Sequence, residues 1–467
     1  MSLPDRAHPG TEGDLKWFAK QSAYLDRVFT RAVPYLYLIV EAIEERKLPT
    51  ELALLPVVES AFQPFAYSHG RAAGLWQFIP STGERFNLKQ NWWYDGRRDV
   101  LASTHAALDY MEYLHDHFEG EWLLAIAAYN SGEGTVKRAV ARNKAQGKPT
   151  DFWSLKLPRE TQGYVPKLLA IAQLVKHPEQ YDIALSPIAN DPFLASVKLD
   201  SQIDLSLAAE LADLSLEEIY LYNPGFNRWA TDPGGPHRLL LPIDRIETFE
   251  QQLASYPAEK RVRWQRHRIK PGESLMQIAQ RYHTTVDLLK NINKLRSNAI
   301  RAGDTLTIPV ARTSLSNYSL SADQRLSATQ NQPRSGQRTQ YTVKSGDSLW
   351  GIAQRHGVGV NELAQWNGMA PRDPLMPGKN LVVWAKKAPA ERVAGNPANF
   401  THPYGDTAHQ RIGYTVRRGD SLHAISQRFR VSVDKLVSWN KLDKKKYLQP
   451  GQRLTLYVDV TQQAGNM

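Results

Sequence analysis

"PVVESAFQPFAYSHGRAAGLWQFIPST" occupies residues 56–82 and sets one carboxylate, Glu59, behind an apolar run and ahead of a turn holding Gly74, Trp76 and Gln77. On a continuous helix Leu52, Leu55 and Phe62 fall on the same face as Glu59, so the charge shares an apolar surface. Desolvation on such a face raises a carboxyl pKa and holds its proton near neutrality, the state a general acid needs. Pro56 is the alternative, because it can restart the helix and change that register. A single Glu is more often structural, ion-paired or facing solvent. Its surroundings must decide.

Outward from this stretch, residues 14–182 read as helices separated by Gly, Pro and Asn stops. "WLLAIAAYNSGEG" (122–134) is a buried apolar helix closed by Asn130, Ser131 and Gly132. Ser81, followed three residues later by Glu84, predicts a capping box opening the helix after the GLWQ turn. Asp99 is the predicted cap of the next helix, with Leu101, Leu108, Met111 and Leu114 along it. The expectation is an all-helical domain.

A chain of 467 residues is too long for one hydrophobic core and suggests roughly two to four domains. The net charge of +11 favours a polyanionic or acid-bearing partner without saying which. The absence of cysteine excludes disulfides, thiolate metal sites and a cysteine nucleophile, and leaves the redox compartment open. The longest apolar stretch, Ala32 to Val40, contains Pro34 and is far shorter than the roughly 20 residues of a membrane span. The opening "MSLPDRAHPGTEGD" carries no apolar signal core.

The second half repeats itself: "HRIKPGESLMQIAQRY", "YTVKSGDSLWGIAQRH" and "YTVRRGDSLHAISQRF", with glycines at 272, 346 and 419. Each copy continues with a Val, a Leu and an Asn (Val286/Leu289/Asn293, Val360/Leu363/Asn367, Val433/Leu436/Asn440) and closes with "AGDTLTIPV", "PGKNLVVWA" or "PGQRLTLYV". The predicted order is strand, helix, helix, strand. Residues 313–340 and 386–411, poor in apolar residues and rich in Ser, Gln, Arg and Pro, read as flexible linkers.

These units, over 267–310, 341–385 and 414–458, resemble LysM modules, small βααβ domains. That resemblance implies binding of N-acetylglucosamine-containing glycans. The first copy departs most, with Ile269 and Glu273 in its opening and Ala302 in place of the closing Pro. The helix pair also fits a DNA-binding helix-turn-helix. Its second helix, however, opens with Asp287, Glu362 or Asp434, which repel phosphates, and strands bracket every pair, so nucleic acid is not the expected partner.

The helical half resembles the lytic transglycosylase catalytic domain, with its goose-type-lysozyme-like fold. The resemblance rests on Glu59-Ser60, "GLWQ" (74–77), "AAYNSG" (127–132) and "ETQGYVPK" (160–167). Trp76 departs from it, standing where many relatives carry Met. The fold class implied is multidomain α+β: an all-α lysozyme-like domain at 14–185, followed by βααβ modules on linkers. The resemblance implies that Glu59 acts alone. It would protonate the leaving glycosidic oxygen and then take the proton of the C6 hydroxyl of N-acetylmuramic acid, closing a 1,6-anhydro ring without water. It further implies that Ser68 and Gln77 bond the sugar near the reacting centre, Asn130 holds an N-acetyl group and Tyr164 orients Glu59. Tyr129 and Trp76 would line the cleft; as plain residues both are equally ordinary core aromatics.

A hydrolytic lysozyme or chitinase needs a second carboxylate to activate water. Asp95, Asp99 and Glu121 are the nearby candidates, and none sits in a motif. A non-catalytic wall-binding scaffold could lose Glu59, which this chain keeps. "WWYDGRRD" (92–99) reads as a structural loop with an Arg–Asp pair rather than a substrate site. His115 and His117 point to different sides of a helix, so no metal is expected, and no cofactor. The expected partner is the peptidoglycan glycan strand and the expected state a monomer. The resemblance places the protein in the periplasm at the outer membrane, with any anchor an N-terminal lipid outside this sequence.

Residues 193–226 carry one further expectation. Aligned on the second LysM copy without a gap, Leu199 falls on Val343, Leu205 on Leu349, Ala209 on Ala353, Ile219 on Leu363 and Asn223 on Asn367. Gln202-Ile203 replaces the Gly346-Asp347 turn, and "HRLLLPI" (237–243) would close the unit. The reading is a degenerate LysM-like annex over 195–245, packed rigidly on the helical domain. Two further helices of the catalytic domain are the alternative.

Overall fold

The structure, a computed structural model, describes residue 3, residues 8–385, and between 409 and 459 two strands, one helix and a few flanking positions. Eight helices build the N-terminal part: α1 (Pro9–Ala19), α2 (Ser22–Glu45), α3 (Leu55–Ser60), α4 (Pro80–Arg85), α5 (Val100–His117), α6 (Trp122–Ser131), α7 (Glu133–Ala145) and α8 (Arg159–Lys176). Helix α6 is apolar on all sides and sits in the middle, where Ala125, Ile126, Ala127 and Ala128 have no exposure. Its small residues let neighbouring helices approach, while Leu25, Ile39, Leu108, Met111, Leu168 and Ile171 close the core around it. Asp99 caps α5 as expected, accepting from the Ala102 amide at 2.8 Å. Ser81 does not cap α4: the helix starts at Pro80, whose fixed φ and missing N–H suit a first helical position, and Ser81 lies inside it.

Next come β1 (Leu194–Lys198), α9 (Leu205–Ala212), α10 (Leu216–Tyr222) and β2 (Arg238–Pro242), extended by α11 (Ile243–Ser255). The strands are antiparallel, with Val197 opposite Leu239. The same βααβ order recurs as β3 (Arg263–Arg268), α12 (Leu275–Arg281), α13 (Val286–Ile292) and β4 (Thr305–Val310). After α14 (Ala322–Asn331) it recurs again as β5 (Gln337–Thr342), α15 (Leu349–His356), α16 (Val360–Trp366) and β6 (Asn380–Ala385). Strands β3 and β5 begin before their buried pattern does, because ladder pairing needs only backbone groups and their first residues are exposed. In the third copy, β7 (His409–Thr415) pairs with β8 (Arg453–Asp459) around the helix Val433–Asn440.

One asparagine welds each unit. Asn367 Nδ2 donates to the Leu363 and Val382 carbonyls and its Oδ1 accepts from the Val382 amide, tying the second helix to the closing strand. Asn293 makes the same three bonds with Leu289 and Thr307, and Asn440 with Leu436 and Thr455. Asn223 does so with Ile219 and Leu240, inside the annex. A buried amide with three partners is an interior brace, not a ligand contact. The annex therefore shares the brace of the clear copies.

The annex is seated on the helical domain by the loop 92–99. Trp93 and Tyr94 are buried in the annex core, Asp95 N donates to Gly225 O, and Asn227 N donates to Trp93 O. Tyr35 donates to Leu221 O from α2, and Lys89 pairs with Asp232.

Residues 313–340 differ from the flexible linker that their composition suggests. They hold α14, and Tyr318 is fully buried with its hydroxyl donating to Asp204 at 2.9 and 3.0 Å. A single aromatic anchor with a buried hydrogen-bond partner supplies what the segment's composition lacks. The linker expected at 386–411 lies, up to residue 408, outside the described residues.

Candidate active site

Glu59 is set by a break in helix geometry. Residues Thr50–Leu54 form a 3-10 turn and the α-helix restarts at Leu55 with Pro56 in its first turn. It ends one residue after Glu59, because Ala61 and Phe62 are left-handed, with φ of 51° and 55°. The continuous register expected from Leu52 to Phe62 is therefore replaced by one isolated turn of helix. Leu52, Leu55 and Phe62 are nevertheless all fully buried, and Glu59 is half-buried and lines a cleft.

That cleft has a volume of about 830 Å³. The structure brings Glu59, Ser68, Gln77, Tyr129, Asn130 and Tyr164 together on its walls, from α3, the 67–78 loop, α6 and α8. Tyr164 donates to Glu59 Oε1 at 2.5 Å, and Glu59 lines the cleft. Burial pushes the Glu59 pKa up, the Tyr164 hydrogen bond pulls it down and the Glu160 charge raises it, for a value of about 7. A carboxyl poised there holds and releases a proton near neutrality.

The polar groups around it are each half-committed. Ser68 Oγ accepts from the Gly70 and Ala72 amides, so its own hydrogen remains to donate. Asn130 Oδ1 accepts from Thr161 at 2.8 Å, which leaves its amide hydrogens available. Gln77 donates to Gly74 O, keeping its carbonyl oxygen as an acceptor. Tyr129 donates to Trp76 O at 2.8 Å, so it buttresses the GLWQ turn from the wall of the cleft.

Trp76 is a correction. It is fully buried, its Nε1 donates to Thr104 at 3.0 Å, and it lines no part of the cleft. An indole at this position finds core volume and a polar partner on α5, which a sugar face would not supply. Gly74 explains the turn: with φ of 81°, a Cβ there would lie 2.0 Å from Arg97 O. Arg97 is held by Asp95, whose carboxyl is buried yet kept below its usual range by the Arg97 and Arg98 guanidiniums. Arg97 also donates to Arg71 O and Phe78 O, fastening both ends of the cleft loop.

Of the three alternative second carboxylates, two are committed to partners and the third lies away from the cleft. Asp95 is buried in its arginine pair, Asp99 caps α5 and pairs with Arg238, and Glu121 precedes α6 outside the cleft. His115 stacks on Trp122 while His117 faces Tyr113, so the two rings diverge. Glu160 and Lys167, one turn either side of Tyr164 on α8, line the cleft and escaped the sequence reading. Their signal was the helical spacing within "ETQGYVPK".

With this geometry in view, the chain compares with known proteins as follows. The Transglycosylase SLT domain matches residues 37–152, and the lytic transglycosylase MltD LysM-like domain matches 193–258. The LysM domain matches 267–309, 341–384 and 414–456. The membrane-bound lytic murein transglycosylase D of Escherichia coli K12 is 38% identical over 383 residues, covering 79% of this chain and 80% of that protein. The chain belongs to the membrane-bound lytic murein transglycosylase D family. It is a peptidoglycan lytic transglycosylase with LysM domains, multidomain and α+β. The N-acetylmuramoyl-L-alanine amidase sle1 of Staphylococcus aureus is 30% identical over 200 residues, 43% of this chain and 55% of its own. The 70 kDa soluble lytic transglycosylase of Escherichia coli superposes with a TM-score of 0.27 at 20% identity, over 35% of this chain and 30% of that one.

Proposed function

We propose that Glu59 is the sole acid and base of a reaction that cleaves the β-1,4 bond between N-acetylmuramic acid and N-acetylglucosamine and leaves a 1,6-anhydro end. The observation that carries this is a cleft-lining carboxyl with a pKa of about 7 whose Oε1 is pinned by Tyr164. In its protonated form Oε2 donates to the glycosidic oxygen as the C1–O4 bond breaks. The resulting carboxylate accepts the proton of the C6 hydroxyl, whose oxygen bonds to C1. Glu59 is thus returned to its starting state, and no water is consumed. Tyr164 stabilises the carboxylate between the two transfers, because its hydroxyl favours the charged form.

Ser68 donates and Gln77 accepts near the reacting sugar, Asn130 offers its amide hydrogens to an N-acetyl carbonyl, and Tyr129 gives a ring face. The catalytic unit spans 14–185, the annex 195–245, and glycan-holding modules 267–310, 341–385 and 414–458. Module one carries a groove of about 480 Å³ lined by Ile269, Leu295, Ile300 and Asp304. Trp350 and, at the matching position, Met276 stand exposed at the start of the first module helix as apolar platforms for a sugar face. Glu273 also does the work of Asp347: it accepts from the Lys270 amide, His267 and Arg281, as Asp347 accepts from the Lys344 amide, Tyr341 and Arg355. At Glu273 the departure of the first copy is compensated.

We place the protein as a monomer in the periplasm, associated with the outer membrane; the name of its Escherichia coli relative, a membrane-bound enzyme, supports the membrane association. No helix among the described residues is long and apolar enough to cross a membrane. The test is mass spectrometry of digested peptidoglycan: products one water lighter than hydrolytic ones are expected, and none from Glu59→Gln. Hydrolytic masses, or wild-type release by Glu59→Gln, would overturn the reading.

A further inference from the structure

The loop that forms one wall of the cleft has two faces. Its inner face supplies Ser68, His69, Gly70 and Ala72 to the cleft. Its outer face holds the second LysM module. Arg71 Nε lies 2.7 Å from Asp373 Oδ1, and Tyr67 donates to the same carboxylate at 3.1 and 3.2 Å. Asp373 is in the loop between α16 and β6 and is mostly buried at this contact, its Oδ2 also accepting from the Ala370 amide.

A second clamp comes from α14, in the stretch whose composition reads as a tether. Asp323 pairs with Arg228 at 2.5 Å and Ala322 N donates to Asn227 O, fixing the start of α14 to the annex. The Arg325 guanidinium sits 4.3 Å over the ring of Phe65, two residues from Tyr67, and fixes the middle to the catalytic domain. Gln330 donates to Asn367 Oδ1 at 2.9 Å, fixing the end to the brace of module two. Leu326 packs near Gly368. Three parts of the chain thereby meet one helix.

Module two presents Trp350 at 60% and Met376 at 69% exposure, and Met376 lies in the loop that carries Asp373. Apolar side chains left in water on a module latched to the cleft wall are platforms for the flat faces of sugar rings. We propose that the catalytic cleft and the second LysM module form one composite surface for a long glycan strand, with Arg71, Tyr67 and Asp373 as positioning residues that latch the module to the cleft wall. The ligand class is a β-1,4-linked amino-sugar strand longer than the cleft, an assignment that rests on the Glu59 reading for its chemistry. A fixed second site needs less ordering on binding than a tethered one, so affinity is gained without new contacts at the reacting bond.

The experiment uses the full chain and two substrates, long glycan strands from sacculi and a short fragment that fills only the cleft. Arg71→Glu, which repels Asp373, is expected to raise KM for long strands about fivefold, the size of one partly exposed ion pair. Its kcat, and both constants on the short fragment, stay at wild-type values. Asp373→Asn moves KM in the same direction from the other side of the latch, and Arg71→Lys restores it. Sedimentation with long strands in the Glu59→Gln background reads the same shift as a Kd without chemistry, so failure of the latch and failure of the Glu59 assignment are told apart. Unchanged long-strand KM in both Arg71→Glu and Asp373→Asn would overturn the composite surface. Faster turnover of both substrates would overturn it too, by making the latch an autoinhibitory contact.

Discussion

Replacing Tyr164 with Phe removes the hydroxyl that donates to Glu59 Oε1 at 2.5 Å and keeps the ring that fills the wall. This hydrogen bond pulls the Glu59 pKa down against burial, so its loss moves the value up from about 7. A hydrogen bond to a charged group is worth about 1.5–3 kcal/mol and one pKa unit corresponds to about 1.4 kcal/mol, which makes the rise about one to two units. Because the first step needs the protonated acid, activity falls as pH rises through this pKa. The descending limb of kcat/KM should therefore shift from near pH 7 toward pH 8–9 in Tyr164→Phe, by about one to two units. Its plateau should be lower, about tenfold, because Oε1 is no longer held in place. Glu160→Gln supplies the opposite sign: it removes a charge that raises the pKa, so the limb should move to lower pH. The assay is the initial rate of anhydro-muropeptide release from purified sacculi between pH 5 and 9, read by mass spectrometry. A Tyr164→Phe limb that stays in place or moves down would refute the argument, because the limb would then belong to another group.

Gly74→Ala should cost about 3 kcal/mol or more, since its Cβ would meet Arg97 O at 2.0 Å in a left-handed backbone; a urea midpoint close to wild type would refute this. Trp76→Phe should cost about 2 kcal/mol through the lost bond to Thr104 and a small void, with KM on a short fragment unchanged. A raised KM at unchanged stability would instead put Trp76 at the sugar. Asn367→Ala strands two carbonyls and an amide, at about 1–3 kcal/mol each. A module this small should unfold, seen as protease cleavage between 341 and 385 and weaker sacculus binding, while short-fragment turnover persists.

Much of the site was legible because its chemistry is local. Glu59 stood out as a charge inside an apolar run, and it is half-buried in a cleft although the helix around it is a single turn rather than the continuous one expected. Tyr129 and Trp76 carried the same signal and separated only in three dimensions: both are aromatic beside a turn, but Thr104 offers the indole a partner in the core. Glu160 and Lys167 were hidden because an exposed charge on a helix looks alike whether it faces a cleft or bulk water.

By itself the sequence determined the helical half, the three βααβ repeats and the position of the acid. Period, capping and recurrence are properties of neighbours along the chain, and no distant contact is needed to state them. The alignment of Asn223 with Asn367 also lay in the sequence, but that both are braces between helix and strand is decided by carbonyls that lie 15 to 17 residues further along the chain. The tertiary structure alone decided the proton affinity of Glu59, which depends on what closes over it. It alone turned residues 313–340 from a presumed tether into an ordered clamp. Composition counts apolar residues, whereas the anchors of this segment include one tyrosine buried against Asp204 and one arginine over Phe65, and neither partner is near in sequence.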